Sequence, residues 1–489
     1  MRVALIHYHL QPGGVTRVIN HILRSLQCSE INFVVLTGGP PQEDIDGKWR
    51  LIPGLQYEHC RPEISADRLV QEIEEAAYEA LGGKPDLWHV HNPSLGKNLV
   101  LPCALHKLAR KGERLLLHIH DFAEDGRPGN YQMMLRKLAE GDRDKLSSLL
   151  YPVATHIHYA LLNSRDLNFL MQSGGDSRQL HLLPNPVGIE NLEEGEQAGA
   201  GRVCSLLQGK KLWLYPTRGI RRKNMGEFLL WASLASQENI FATTLGPLNP
   251  VARRQFEKWK TLAHTLNLPV HFELALQYDF TSILQKAYCL LTTSISEGFG
   301  LAFLEPWLLN RPLFGRDIPE ITSDFKKQGL TLPWLYKRLE VPVKWLGLDV
   351  IERKAREGLQ KSFHAYGREP GPDDVERVLS VWVKDKNVDF GCLDEELQAS
   401  VLHRIVNSPG EVMCLHPCSL PSFKDIQACL AIHRQILKEK YSLKRYGQQL
   451  EAIYNQVAAS PVSSLSCLNG EELLDLFLAP ERLMLLKVD

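Results

Sequence analysis

Neither sign of charge predominates in this sequence: 56 Lys and Arg residues stand against 57 Asp and Glu, for a formal net charge of −1. A global field that would gather nucleic acid or an anionic membrane is thereby excluded, and any anion must be held by a local arrangement of groups. Long apolar runs are missing as well, since no stretch approaches the ~20 residues that a transmembrane helix requires. The first residues, MRVALIHYHLQPGG, carry one basic side chain and a short apolar run ended by histidines and proline. That pattern suits a buried strand and not a secretory signal. Cysteine is sparse, with 10 in 489 residues. This is too few for a disulfide framework, and the expected compartment is a reducing cytoplasm. Cys414, Cys418, Cys429 and His433 come nearest to a metal-ligand spacing, but the stretch reads as partly helical with buried thiols.

What the chain does contain is 44% hydrophobic residues, enough for two or three well-buried cores. RVALIHYH, INFVVLTG, DLWHVHN, RLLLHIHD and HIHYALLNS are short apolar runs that each end in polar residues, and segments of helical spacing such as TRVINHILRSL lie between them. Strands buried on both faces and alternating with helices predict a parallel sheet in a doubly wound α/β domain. Ligands gather beyond the carboxyl ends of such strands, where this sequence places His9, the Pro12-Gly13-Gly14 turn, His91 and Asn92, His120 and Asp121, and Asn163 and Ser164. The Pro-, Glu- and Gly-rich stretch LLPNPVGIENLEEGEQAGAGR reads as a linker. A second series follows it: KLWLYPT, NIFATTLG, PVHFEL, AYCLLTTS and RPLFGRD. From about residue 331 amphipathic helical patterns take over. The expected division is 1-188 for the first domain, joined by a returning helix at 441-458, then 203-330 for the second. A helical elaboration at 331-440 and a tail helix at 459-489 complete it.

Three motifs carry chemistry. Gly13 and Gly14 follow the first strand and open a helix, so backbone N–H groups there can approach an oxyanion or phosphate. TRGIRRKN follows the first strand of the second series and offers Arg218, Arg221, Arg222 and Lys223. Of these, Arg218 and Lys223 are spaced to meet one diphosphate, a directed fork beside a point charge. SEGFGLAFLEPW places Glu297 in a loop after the AYCLLTTS strand and Glu305 about a turn into the expected helix. Backbone amides at Phe299, Gly300 and Leu301 would lie at that helix's N-terminus, Glu305 would accept from a vicinal diol such as ribose, and Glu297 from the hydroxyls of a second sugar.

EGFGLAFLE resembles the E-x7-E motif of retaining, nucleotide-sugar-dependent glycosyltransferases of family 4, which have the GT-B fold. NRPLFGRDIPEI is similar to the family's later elements, Arg218 and Lys223 match its R…K pair in order, GGVTR its glycine loop, LLPNPV its interdomain segment, and YSLKRYGQQLEAIYNQV its terminal crossing helix. The resemblance covers about residues 1 to 325 and 440 to 458. It implies two Rossmann-like domains facing a cleft, with Arg218 and Lys223 on the donor diphosphate, Glu305 on the ribose, Glu297 on the transferred sugar, Gly14 beneath the phosphates and His120 near the reaction centre. Asn310 in place of glycine, Pro306 within the helix and Arg316-Asp317 before IPE depart from the family pattern. The proline casts the helix geometry into question, and the Arg-Asp pair bears on sugar selectivity.

The expected reaction moves a hexose from a UDP-, GDP- or ADP-linked donor to a soluble small molecule with retention, using no side-chain nucleophile and no metal or other cofactor. Asp44-Ile45-Asp46 and Asp142-Arg143-Asp144 are D-x-D sequences, but neither sits at a clear strand end. Acceptor candidates are Asn92, Lys97, Asp121 and Arg127 in first-domain loops, the two cations being suited to a carboxylate or phosphate. No nucleic-acid partner and no transmembrane segment are expected, and the oligomeric state stays open. The rival readings are an epimerase or phosphorylase on the same fold and a non-catalytic sugar-nucleotide sensor whose helical region binds a protein.

Overall fold

The computed structural model describes residues 1–188, 200–423 and 426–488. The linker residues 189–199, on which part of the interdomain reading rests, lie outside the described residues. The chain divides into two compact units, one formed by Met1–Pro186 with Glu439–Leu478, the other by Val187–Lys438 with Ala479–Asp489.

The amino-terminal unit is built on a seven-stranded parallel sheet. Across it the strands run Trp49–Leu51, Asn32–Thr37, Arg2–His7, Leu87–His91, Leu115–Ile119, Ile157–Leu161 and Leu180–Leu182. Strands Leu87–His91, Leu115–Ile119 and Ile157–Leu161 are buried at every residue, as continuous apolar runs demand when helices cover both faces. Order reverses between Arg2–His7 and Leu87–His91, which marks the topological switch point where doubly wound sheets bind ligands. The helix Leu443–Ala459 packs Tyr446, Leu450, Ile453, Tyr454 and Val457 into the same core as Val3, Leu5, Ile19 and Leu116, so the returning segment closes one face of this sheet.

The carboxyl-terminal unit repeats the plan with a six-stranded parallel sheet in the order Val270–His271, Asn239–Leu245, Lys211–Arg218, Ala287–Thr292, Leu313–Arg316 and Leu335–Tyr336. Its switch point lies between Lys211–Arg218 and Ala287–Thr292. Residues 331-440 contribute helices, among them Leu348–Ala365, Asp374–Trp382 and Glu395–Asn407. They also form a three-stranded antiparallel sheet of Glu340–Pro342, Asn387–Asp389 and Val383–Lys384. Strands of two or three residues are too short to show alternation, so the helical reading passed over them. This segment shares one core with the sheet: Trp213, Phe228 and Trp231 join Val378, Trp382 and Leu402 in a single cluster. In the tail, Gly470–Leu478 is helical, after which two 3-10 turns at Pro480–Arg482 and Leu485–Lys487 belong to the carboxyl-terminal unit. Among the described residues no helix is long and apolar enough to cross a membrane.

Candidate functional site

At the switch point of the second sheet, the strand Lys211–Arg218 delivers an exposed Arg218 at its carboxyl end. A 3-10 turn at Arg221–Lys223 follows, closed by Asn224 in a left-handed conformation at φ 53°. The four cations of this loop then part company. Arg221 turns away to Glu395, with Nε–Oε1 at 2.6 Å and Nη2–Oε2 at 2.9 Å, and also donates to the Val488 carbonyl. Arg222 donates to the Ser296 carbonyl at 3.3 Å. Lys223 is paired with Glu297, and both side chains are mostly covered. Behind the turn, Gln398 donates to Asn224 Oδ1 at 2.9 Å and Asn224 donates to Glu227 at 2.8 Å.

The Glu297 carboxyl shows which effect dominates. Burial pushes its pKa up, yet the Lys223 ammonium and the Arg222 guanidinium more than offset this and hold it below the usual value. Lys223 and Glu297 are therefore a preformed ion pair.

The loop that continues from Glu297 is tightly specified at Gly300, where φ is 89° and an added Cβ would lie 2.9 Å from both Ile321 and Phe303. Phe299 is buried edge-on to Phe325, with ring centroids 5.7 Å apart. The expected continuous helix from Leu301 is absent. Leu301–Phe303 forms a 3-10 turn, and a four-residue helix begins at Glu305 itself. Pro306 explains the break, because at the first turn its missing N–H costs no helical hydrogen bond. Glu305 thus opens a helix instead of lying one turn inside it, and Phe299 and Gly300 lead into a 3-10 turn that begins at Leu301, not into an α-helical N-terminus. Asn310 has φ 54°, a left-handed position that asparagine tolerates in place of glycine.

The bearing of Arg316-Asp317 on sugar selectivity does not hold. Arg316 is buried in a charged cluster, with Nη2–Glu227 Oε2 at 2.6 Å and Nη1–Asp389 Oδ2 at 2.8 Å, and Tyr336 donates to Glu227 at 2.6 Å. Burial raises the Glu227 pKa, whereas Arg316 overcomes burial at Asp389 and holds that carboxyl low. Asp317 is taken by Thr322 and by Lys326 Nζ at 2.6 Å. Both residues are committed to the framework.

At the switch point of the first sheet the materials are different. Gly13 and Gly14 are exposed at the start of the helix Gly14–Ser25, and a Cβ at Gly14 would meet nothing within 4 Å. Beside them the two-residue period of neighbouring strands brings His7, His89, His91, His118 and His120 together, all buried. His91 Nδ1 lies 2.9 Å from His120 Nε2, and His89 Nε2 lies 3.2 Å from His118 Nδ1. The two pairs overlie each other, with His118 and His120 centroids 4.2 Å apart. Burial drives the pKa of His7 and His89 down to about 3 and of His120 to about 4, and takes His91 and His118 well below 6.5. These imidazoles are neutral at pH 7.

The acceptor candidates separate on inspection. Asn92 is buried at φ 53°, and its Oδ1 accepts from the His120 and Asp121 amides at 2.7 and 3.1 Å, so it clips the strand end. Asp121 and Arg127 pair with each other at 2.8 Å, and Arg127 also donates to the Phe122 carbonyl at 2.9 Å. Lys97 lies over the Tyr57 ring, 5.5 Å from its centroid. Sequence reasoning missed Tyr57, whose hydroxyl is 2.8 Å from His9 Nε2, because the contact joins segments 48 residues apart. It also missed Glu124, two residues after the buried Phe122, whose carboxyl is pushed up to about 7 by burial and accepts from Tyr151 at 2.9 Å. A glutamate in a loop gives no sequence signal of burial.

Among the described residues, His89, His91 and His118 are the one group whose nitrogens lie close enough together for a metal. They fit one poorly, since both nitrogens of His89 are engaged, by Tyr454 at 2.7 Å and by His118. Cys429 and His433 are neighbours, but Cys414 and Cys418 do not complete a ligand set with them. Asp142 caps the helix Arg143–Leu150 by accepting from the Lys145 amide at 3.0 Å, and Asp46 pairs with Arg24.

No family model matches the chain. It is 25% identical over 482 residues to the mannosylglucosyl-3-phosphoglycerate synthase of Petrotoga mobilis, spanning 93% of this chain and 91% of that protein. Anabaena Alr3699/HepE, solved with UDP and glucose, superposes with a TM-score of 0.56 at 12% identity over 93% of this chain and 99% of its own. A glycosyltransferase from Rickettsia africae superposes with a TM-score of 0.52 at 11% identity, over 94% of this chain and 99% of its own. The two parallel sheets are those of the GT-B fold, and the chain is a glycosyltransferase.

Proposed function

We propose that this glycosyltransferase moves a hexose from a nucleoside-diphosphate sugar to a small-molecule acceptor, with retention and without a metal, in the cytoplasm. The observation that carries the reading is the placement of Arg218, Lys223 and Glu297 at the switch point of the second sheet. Cleavage of the anomeric C–O bond leaves an oxocarbenium-like sugar and a diphosphate that gains negative charge. A cation already in place there stabilises the transition state more than the ground state. The Lys223–Glu297 pair holds both groups in position: the ammonium turns to the diphosphate and the carboxylate accepts from sugar hydroxyls. Glu305 is assigned to the ribose, and Phe299, Gly300 and Leu301 to the wall of the donor site.

The relative from Petrotoga mobilis is, by its name, a synthase whose product joins sugars to 3-phosphoglycerate, which supports a small-molecule acceptor. The UDP and glucose bound by the Anabaena protein support a nucleotide-linked hexose donor. With retention, the departing phosphate oxygen takes the acceptor's proton on the same face, so no enzymic nucleophile is required.

Thermal-shift titration against UDP-, GDP- and ADP-hexoses identifies the donor through the stabilisation that binding confers. Product analysis by NMR then reads the anomeric configuration. Arg218→Ala and Lys223→Ala are each expected to lower kcat by about 10²-fold. Unchanged turnover in the double variant, or an inverted product, refutes the assignment.

A further inference from the structure

We infer that the acceptor carries an anionic group, a phosphate or a carboxylate, and that Lys97 and Tyr57 hold it at the carboxyl end of the first strand. This rests on the transferase reading above and adds the chemical class of the second substrate. Of the cations that the sequence offers in the acceptor loops, Arg127 is already neutralised by Asp121 at 2.8 Å, and two carbonyls occupy its Nη1. Lys97 has no carboxylate partner among the described residues, and Tyr57 supplies its nearest aromatic face. The neighbouring Glu58 is spent on Arg61, with Nε–Oε2 at 2.8 Å and Nη2–Oε1 at 2.9 Å, and on the Leu99 amide at 3.0 Å. The Glu58 amide donates to the Lys97 carbonyl at 2.7 Å, which ties the backbones of the two segments together.

Tyr57 completes the site through the tautomer of His9. The Gln11 amide donates to His9 Nδ1 at 3.3 Å, so that nitrogen is the acceptor and the ring proton is on Nε2. Nε2–H then donates to the Tyr57 oxygen at 2.8 Å, and the hydroxyl's own proton is left to point elsewhere. Burial lowers the His9 pKa and raises that of Tyr57, so at neutral pH the imidazole stays uncharged and the phenol stays a donor. An ammonium and a hydroxyl donor, with no carboxylate between them, are matched to an anion.

The test uses the full chain saturated with UDP, GDP or ADP, whichever binds, and titrates glucose 6-phosphate, glucuronate, glucose and 3-phosphoglycerate calorimetrically. At least one anionic probe is expected to bind more tightly than glucose, and comparison of the phosphate with the carboxylate members separates the two sources. Lys97→Met should weaken that binding by about 10- to 100-fold, Tyr57→Phe by a smaller factor, and Lys97→Arg should recover part of the loss. Nucleotide affinity, measured in the same samples, should be unchanged in all three variants. Anionic probes that bind no better than glucose, or a Lys97→Met protein that binds them as the native chain does, overturn the inference. Failure of the native chain to bind any nucleotide sugar would instead sink the donor reading, so the two failures are distinguishable.

Discussion

At the carboxyl end of the first sheet, five buried histidines are kept uncharged and four of them are joined in two pairs, whereas at the same topological point of the second sheet Lys223 and Glu297 form an ion pair. The difference extends into the frameworks behind them. Behind the first site stand Tyr454 and neighbouring imidazoles; behind the second stand the Arg221–Glu395 pair and the Arg316 cluster. Neutral hydrogen-bonded groups are inexpensive to bury and orient hydroxyls through dipoles, but they supply little field. Fixed charges cost more to desolvate, and they belong where a leaving group acquires charge. On the proposed reading the labour is divided: the first unit orients and selects, and the second stabilises the transition state.

The sharpest way to break this comparison is to remove a charge from the second framework. Arg316→Met leaves Glu227 and Asp389 buried without their cation and is expected to cost about 3–5 kcal/mol. Urea unfolding followed through tryptophan fluorescence measures it, with Trp213 and Trp231 in the same core as reporters. Pairing Arg316→Met with Glu227→Gln and Asp389→Asn should return much of the loss, because the penalty comes from uncompensated charge. A single variant as stable as the native chain would show that the cluster is not charged as described.

Glu124 is the exception within the neutral unit and gives the next largest effect. Burial lifts its pKa from 4.5 to about 7, so the folded state retains a proton that the unfolded chain has released. Its contribution to stability is therefore highest below pH 4.5, declines as the pH rises to about 7 and is level beyond, for a total of roughly 3 kcal/mol. The histidines act in the opposite sense: with folded pKa values depressed, their contribution is present above about pH 6.5 and lost as the pH falls. The Glu124 effect must accordingly be read as the difference between native and Glu124→Gln stability across pH 4 to 8. A difference that does not vary with pH would place the carboxyl in contact with water.

Much of this was legible in the sequence because it is local. Apolar runs with polar ends located most strands of both sheets, though not the short Trp49–Leu51, Leu180–Leu182 and Leu335–Tyr336, and the same runs put Arg218, Lys223 and Glu297 at or just beyond strand ends. The direction of a long side chain is not local. Nothing in TRGIRRKN distinguishes Arg221, whose partner lies 174 residues on, from Lys223, whose partner lies 74 residues on. Arg316 looked like a ligand group for the same reason, since Glu227 and Asp389 are 89 and 73 residues away. LAFLEPWLLN reads as one continuous helix by its apolar spacing, and only the backbone shows that Pro306 starts a helix there instead of interrupting one.

The smallest expected effect tests whether residues 331-440 contribute to the charged site or merely enlarge its core. Glu395 fixes Arg221, Gln398 fixes Asn224, and these two loop residues flank Lys223 in the chain, so the added helix Glu395–Asn407 grips the donor loop on both sides of its central cation. Releasing one grip should let Lys223 drift from the geometry that the leaving group requires. Glu395→Gln and Arg221→Met are each expected to lower kcat by about 10-fold, or ~1.4 kcal/mol, with a smaller change in donor KM. Because Arg221→Met already removes the contact with Glu395, the double variant should be no worse than Arg221→Met alone. A core-filling role would instead lower thermal stability and leave kcat per folded molecule unchanged. If Arg221→Met abolishes donor binding while Glu395→Gln is silent, Arg221 reaches the diphosphate itself, and the charged site has one more direct ligand than its ion pairs indicate.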